Sequence, residues 1–104
     1  MDVANRPAEK ALLAGIRAYD DAQYPQAEQQ LVLAQKSALA SPRDQAAAHK
    51  HLAFIYCTSD RLSGCLSACQ TEFRAARAAD PKFTLSKSEA GHPVWGPVYQ
   101  RLQQ

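Results

Sequence analysis

Small and apolar side chains return at helical intervals from Ala8 to Asp80, and that spacing leaves few folds open. In the first stretch Ala11, Leu12, Gly15, Ile16, Ala18 and Tyr19 fall on one face of a 3.6-residue period. Ala27, Leu31 and Ala34 form an i, i+4, i+7 stripe in the next, which is expected to run to Leu39. Leu66, Cys69, Phe73 and Ala76 do the same further on. No period-two pattern of useful length competes with these stripes. The chain is therefore expected to be all-α.

Start and stop signals divide the stripes into helices. Asn5 and Pro7 open the first, and Asp20-Asp21-Ala22-Gln23 is a short polar break. Pro25 suits the first turn of the second helix, where its missing N–H costs nothing. So short a break makes the two helices antiparallel. Ser41-Pro42-Arg43-Asp44 offers a serine cap, a proline at the first helical position and an acid at the third. That third helix is expected to end near Thr58, with Ser59-Asp60-Arg61 as the turn and Asp80-Pro81 closing the fourth. Beyond, Lys82 to Leu85 reads as extended, Ser86-Lys87-Ser88-Glu89 as a capping box on a single turn, and Gly96-Pro97 as the start of a last short helix.

Composition sets the class. A chain of 104 residues with 46% apolar and 21% charged residues is expected to make one globular domain, 1–104. Much of the apolar share is alanine, which favours helix but buries little area per residue, so modest stability is expected. A net charge of +2 is too balanced for an electrostatic nucleic-acid or anionic-membrane binder, and Arg74 and Arg77 are only a spaced pair. No stretch approaches the roughly 20 apolar residues of a membrane span. Met1 to Lys10 holds no apolar core of an export signal, although a mature domain whose leader had been removed would read the same.

The two hairpins share their spacing. Gly15, Ala18, Tyr24, Ala27, Leu31 and Ala34 place small and large residues at offsets 0, 3, 9, 12, 16 and 19; Ala53, Tyr56, Phe73, Ala76 and Asp80-Pro81 repeat the opening and the close. Over residues 8–81 the sequence resembles the tetratricopeptide repeat family. It departs from the pattern in lacking the closing proline of the first hairpin, in a longer segment around Ser41 and in a fourth helix one turn longer. The resemblance implies two stacked antiparallel hairpins, with residues 82–104 as a C-terminal capping extension. It also implies a non-enzymatic protein-interaction or scaffold role without a cofactor. The family's groove positions fall on Glu9, Leu12, Ile16, Tyr19 and Asp20 in the first repeat, and on Lys50, Phe54 and Thr58 in the second. Their mixed apolar character implies an apolar helix or extended segment as guest, bound weakly unless the chain oligomerises. The tail FTLSKSEAGHPVWGPVY, with Tyr56-Cys57 and a cysteine downstream, is similar to small proteobacterial repeat proteins, often lipoproteins, associated with type VI secretion. That likeness implies a periplasmic or envelope scaffold, attached to a membrane only through a lipid anchor upstream; a cytoplasmic location is the alternative.

Two residue groups admit more than one reading. Cys57, Cys65 and Cys69 flank the turn between helices three and four. A disulfide with one spare thiol fits an oxidising compartment, with Cys57–Cys65 favoured over Cys57–Cys69. Three buried thiols are the plainer alternative, and a small redox or metal-handling protein the sharper one. Zinc is disfavoured because there is no C-x2-C knuckle, and His49 and His51 point to different sides of one helix. In the tail, Trp95 reads either as a partner contact or as a cap in which Trp95, Val98 and Tyr99 cover the last repeat. Capping is favoured.

Overall fold

The computed structural model describes residues 7–37, 39–58 and 65–102 and contains six helices, with no strand among the described residues. They are α1 (Pro7–Asp20), α2 (Tyr24–Lys36), α3 (Pro42–Thr58), α4 (Cys65–Ala79), α5 (Lys87–Ala90) and α6 (Trp95–Leu102). Helices α1 and α2 pair as one hairpin, and α3 and α4 as a second. The hairpins stack mainly through α2 against α3, with α1 also touching α3.

Local signals account for most boundaries. Pro25 sits in the first turn of α2, and the Ser41 hydroxyl accepts the Asp44 N–H at 3.4 Å. At Ser86 the capping box is complete: its hydroxyl accepts the Glu89 N–H, and the Glu89 carboxylate accepts the Ser86 N–H. Helix α2 ends at Lys36 rather than at Leu39, with Ser37 as its cap. No glycine or proline marks that stop. Residues 82–85 are not a strand but a turn followed by irregular chain. The Asn5 cap and the 59–61 turn lie outside the described residues.

The α1–α2 turn carries a small strain. Gln23 N–H bonds Ala18 O and Ala22 N–H bonds Tyr19 O, a Schellman pair that holds Ala22 at φ 60°. An L-residue with a β-carbon is disfavoured there, and glycine is not. Ala22→Gly is expected to stabilise the fold by about 0.5–1 kcal/mol, after the extra freedom glycine brings to the unfolded chain. Urea denaturation would check this; a loss of stability would contradict the cap geometry.

Two linked clusters make the core. The first joins Ala8, Ala11 and Leu12 of α1, Leu31 and Ala34 of α2, and Leu52 and Ile55 of α3. Here Gly15 sets the helix approach: a β-carbon on it would stand 2.8 Å from the side chain of Leu31 and 3.2 Å from its backbone nitrogen. Leu31 is fully buried and has nowhere to retreat. Gly15→Ala is therefore expected to destabilise by about 1–2 kcal/mol, overpacking outweighing alanine's better helix propensity. An unchanged or higher denaturation midpoint would show that the helices are further apart than described.

The second cluster joins Ala53 and Phe54 of α3, Cys69 and Phe73 of α4, and Leu85, Trp95, Val98 and Tyr99 of the tail. Tyr19 and Tyr56 pack against both clusters. The tail thus closes the stack. Helix α6 packs mainly on α4 and touches α3, the relation that α3 bears to α2 and α1. A polar seam also ties the helices, with His49 Nδ1 2.9 Å from Gln35 Nε2 on α2 and 2.8 Å from Glu72 Oε1 on α4.

Candidate functional site

The groove positions do not all reach a surface. Glu9 and Leu12 are buried, Leu12 within the cluster that joins α1, α2 and α3, and α1 packs directly on α3. Phe54 is buried as well, 2% exposed, because the tail covers it. The Trp95 ring stacks on it at 4.0 Å, and His92 in turn stacks on Trp95 at 3.5 Å. Neither Leu12 nor Phe54 is open to a guest in this fold. These two positions are corrections to the reading of the groove.

Lys50 is half-buried and spoken for. Its ammonium lies 3.1 Å from Glu89 Oε2 and 6.0 Å above the Phe54 ring. Thr58 is exposed, but its hydroxyl donates to the Phe54 carbonyl at 2.8 Å. Ile16 and Tyr19 are half-buried, and Asp20 is exposed.

What remains accessible is an aromatic strip where the hairpins meet. Tyr19 is its centre, with ring centroids 5.6 Å from Tyr24, 5.3 Å from His51 and 6.2 Å from Phe54. Tyr24, at 44% exposed, forms the outer edge. Sequence reading gave Tyr24 and His51 no place in this surface. The signal for His51 was present, since it lies three residues before Phe54 on the same helix face.

Electrostatics keep the strip neutral. Burial, helped by Tyr24, Asp20 and Glu89, pushes the Tyr19 hydroxyl up from 10.0 to about 12. Burial also holds His51 below its ordinary 6.5, aided by nearby Lys50 and resisted by the bond of Nδ1–H to the Ala47 carbonyl and by Glu89 and Asp20. Glu89 would be raised by burial, but hydrogen bonds from Ser86 N–H and Lys50 outweigh that and lower it. At neutral pH the strip is therefore phenol and imidazole, with Asp20 and the Lys50–Glu89 pair close by.

The pH dependence follows. His51 has a folded value below the unfolded 6.5, so the unfolded chain takes up its proton first. Its contribution is complete above about pH 6.5 and is lost as pH falls below that. Glu89 adds a further loss at more acid pH, below its ordinary 4.5. Tyr19 acts in the other direction: its contribution is complete below pH 10 and is lost as pH rises towards 12. Urea midpoints measured from pH 5 to pH 8 should rise with pH, and His51→Phe should flatten that rise. An equal slope in the variant would contradict the placement of His51.

The cysteines resolve differently from the favoured pairing. Cys57 is joined to Cys69, with Cα atoms 5.1 Å apart and Cys69 fully buried. The antiparallel register explains the choice. Phe54 stands beside Phe73 at 6.1 Å, and moving along both helices towards the turn brings Cys57 beside Cys69. Cys65 is the first residue of α4, four positions nearer the turn than Cys69, and α3 ends at Thr58, one residue past Cys57. Among the described residues no three His, Cys, Asp or Glu side chains converge to hold a metal. His49 and His51 point apart, His49 to the α2–α4 seam and His51 to Tyr19.

In the tail, Trp95, Val98 and Tyr99 are buried against the second hairpin. Trp95 Nε1–H donates to the Glu89 carbonyl at 2.7 Å, and the Tyr99 hydroxyl bonds Thr84 Oγ1 and the Leu85 N–H. His92 caps the last helix, its Nδ1 accepting the Val94 N–H at 3.0 Å. No family model, curated protein or solved structure matches the chain.

Proposed function

We propose that the chain is a non-enzymatic protein-interaction module, a two-hairpin stack of tetratricopeptide type that serves as a scaffold in a bacterial envelope assembly. The observation that carries this reading is the aromatic strip of exposed Tyr24 and half-buried Tyr19 over His51, held on two stacked hairpins whose far end the tail already covers. Rigid aromatic rings with neutral hydrogen-bonding tips are the side chains most used at interface centres. With the Tyr19 hydroxyl pushed up to about 12 and His51 held below its ordinary value, both rings offer uncharged hydrogen-bonding tips at neutral pH. The guest is an apolar or aromatic segment reaching Tyr19 from the open side, not one seated on Leu12 and Phe54. The Cys57–Cys69 pair supports an oxidising compartment, and the tail's likeness to envelope repeat proteins points the same way. No described helix is long and apolar enough to cross a membrane.

A photo-crosslinking amino acid at Tyr24, with Gln29 as an exposed control site on the same helix, tests the reading in envelope extract. One discrete adduct from position 24, absent from position 29 and lost in Tyr19→Ala, is expected. Adducts that are indifferent to position, or that survive Tyr19→Ala, would contradict it.

A further inference from the structure

The connector from Asp80 to Leu85 runs between two clefts and helps to line both. One cleft, of about 370 Å³, is lined by Arg74 and Arg77 with Ala78 and Pro81. The other, of about 470 Å³, lies between the connector and the N-terminal half of α3; Arg43, Lys50 and Lys82 line it together with Asp80, Ala46 and Phe83. Five cationic side chains from three separate stretches thus border one short connector. Two carboxylates are nearby, and both are engaged. Asp80 Oδ1 accepts the Lys82 N–H at 3.0 Å, and Glu89 is the ion-pair partner of Lys50. Arg77 donates to the Leu102 carbonyl, and no carboxylate among the described residues pairs with it.

We propose that this basic connector docks an acidic, partly apolar segment of a partner protein, laid across Pro81 with a carboxylate in each cleft. The inference rests on the reading of the chain as an interaction module and adds the chemistry of the partner. Arginine favours planar carboxylates, which its guanidinium meets with two parallel hydrogen bonds. Ala78, Pro81 and Phe83 give the aliphatic parts of such a segment a surface to cover. A phosphate polymer fits less well: the whole chain carries only +2, and Asp80 and Glu89 interrupt the cations.

The test uses the full chain and a fluorescent peptide alternating glutamate with leucine, against the same peptide with glutamine for glutamate. Binding of the glutamate peptide is expected, at least tenfold tighter than the glutamine peptide and weakening as salt rises. The double variant Arg74→Glu, Lys82→Glu should lose at least tenfold, while Lys36→Glu, on exposed α2, should not. Circular dichroism confirms that each variant is folded, and Arg43→Gln supplies a milder second lesion in the larger cleft. Equal binding of the two peptides, no binding of either, or tighter binding to oligothymidine or to phosphatidylserine vesicles would overturn the proposal. If the unaltered chain gives the Tyr24 adduct but does not bind the glutamate peptide, the interaction reading stands and this inference falls.

Discussion

Trp95→Ala is expected to destabilise the protein by about 3–5 kcal/mol, the usual loss for removing a large buried aromatic side chain. The ring is 8% exposed and is held on both sides, by Phe54 at 4.0 Å and by His92 at 3.5 Å. Truncation takes the stacked indole away from both Phe54 and His92 and leaves the Glu89 carbonyl without its indole donor. The surroundings cannot collapse to fill the space. Gly96, next in the chain, already lies so close to Ala90 that a β-carbon on it would stand 2.4 Å from that carbonyl oxygen. A small domain has total stability of roughly 5–15 kcal/mol, so the variant should be marginally folded at best. Urea denaturation followed by circular dichroism measures the loss. A cost below about 1 kcal/mol would mean that the tail is not a structural part of the core.

Reduction of the Cys57–Cys69 disulfide should have the second largest effect. The bridge spans a sequence separation of 12, and the loop-entropy model gives about 3 kcal/mol for a closed loop of that size. Cys69 is fully buried beside Phe73, so the reduced thiol keeps its place as a small apolar residue and the loss comes mainly from the freed unfolded chain. Denaturation with and without dithiothreitol should therefore differ by about 2–3 kcal/mol, and the Cys57→Ala, Cys69→Ala double variant should show no dependence on reductant. Peptide mapping under non-reducing conditions should recover Cys57 joined to Cys69. A Cys57–Cys65 peptide would contradict the register of the second hairpin.

Helix starts were the most legible part of the fold, because they depend on neighbours in sequence. Pro25, Ser41-Pro42 and the Ser86–Glu89 box each act within one turn, and each is found where expected. The end of α2 was not legible, since Ser37 carries no strong stop signal. His92 was missed as a cap because histidine seldom serves as one. The disulfide depends on where the two helices set their register. Phe54 against Phe73 fixes that register, and the length of the turn does not.

The surface was harder to read for a related reason. Transferring groove positions to Leu12 and Phe54 assumes that the inner helices face solvent. In a stack of only two hairpins, α1 leans on α3 and the tail lies over α3, so both side chains become core. Tyr19 sits at the edge of these two seams and stays partly open. The cations at Arg43, Arg74 and Lys82 could not be grouped from sequence, because only the fold brings α3, the end of α4 and the connector together.

Fluorescence of the single tryptophan tests most directly whether the two hairpins and their tail form one body. With Trp95 buried on Phe54, native emission should be blue-shifted and protected from iodide, and it should change in a single urea transition that coincides with the loss of helix. Solvent-like emission in the native protein, or a tryptophan transition well before the helices melt, would contradict the closed stack.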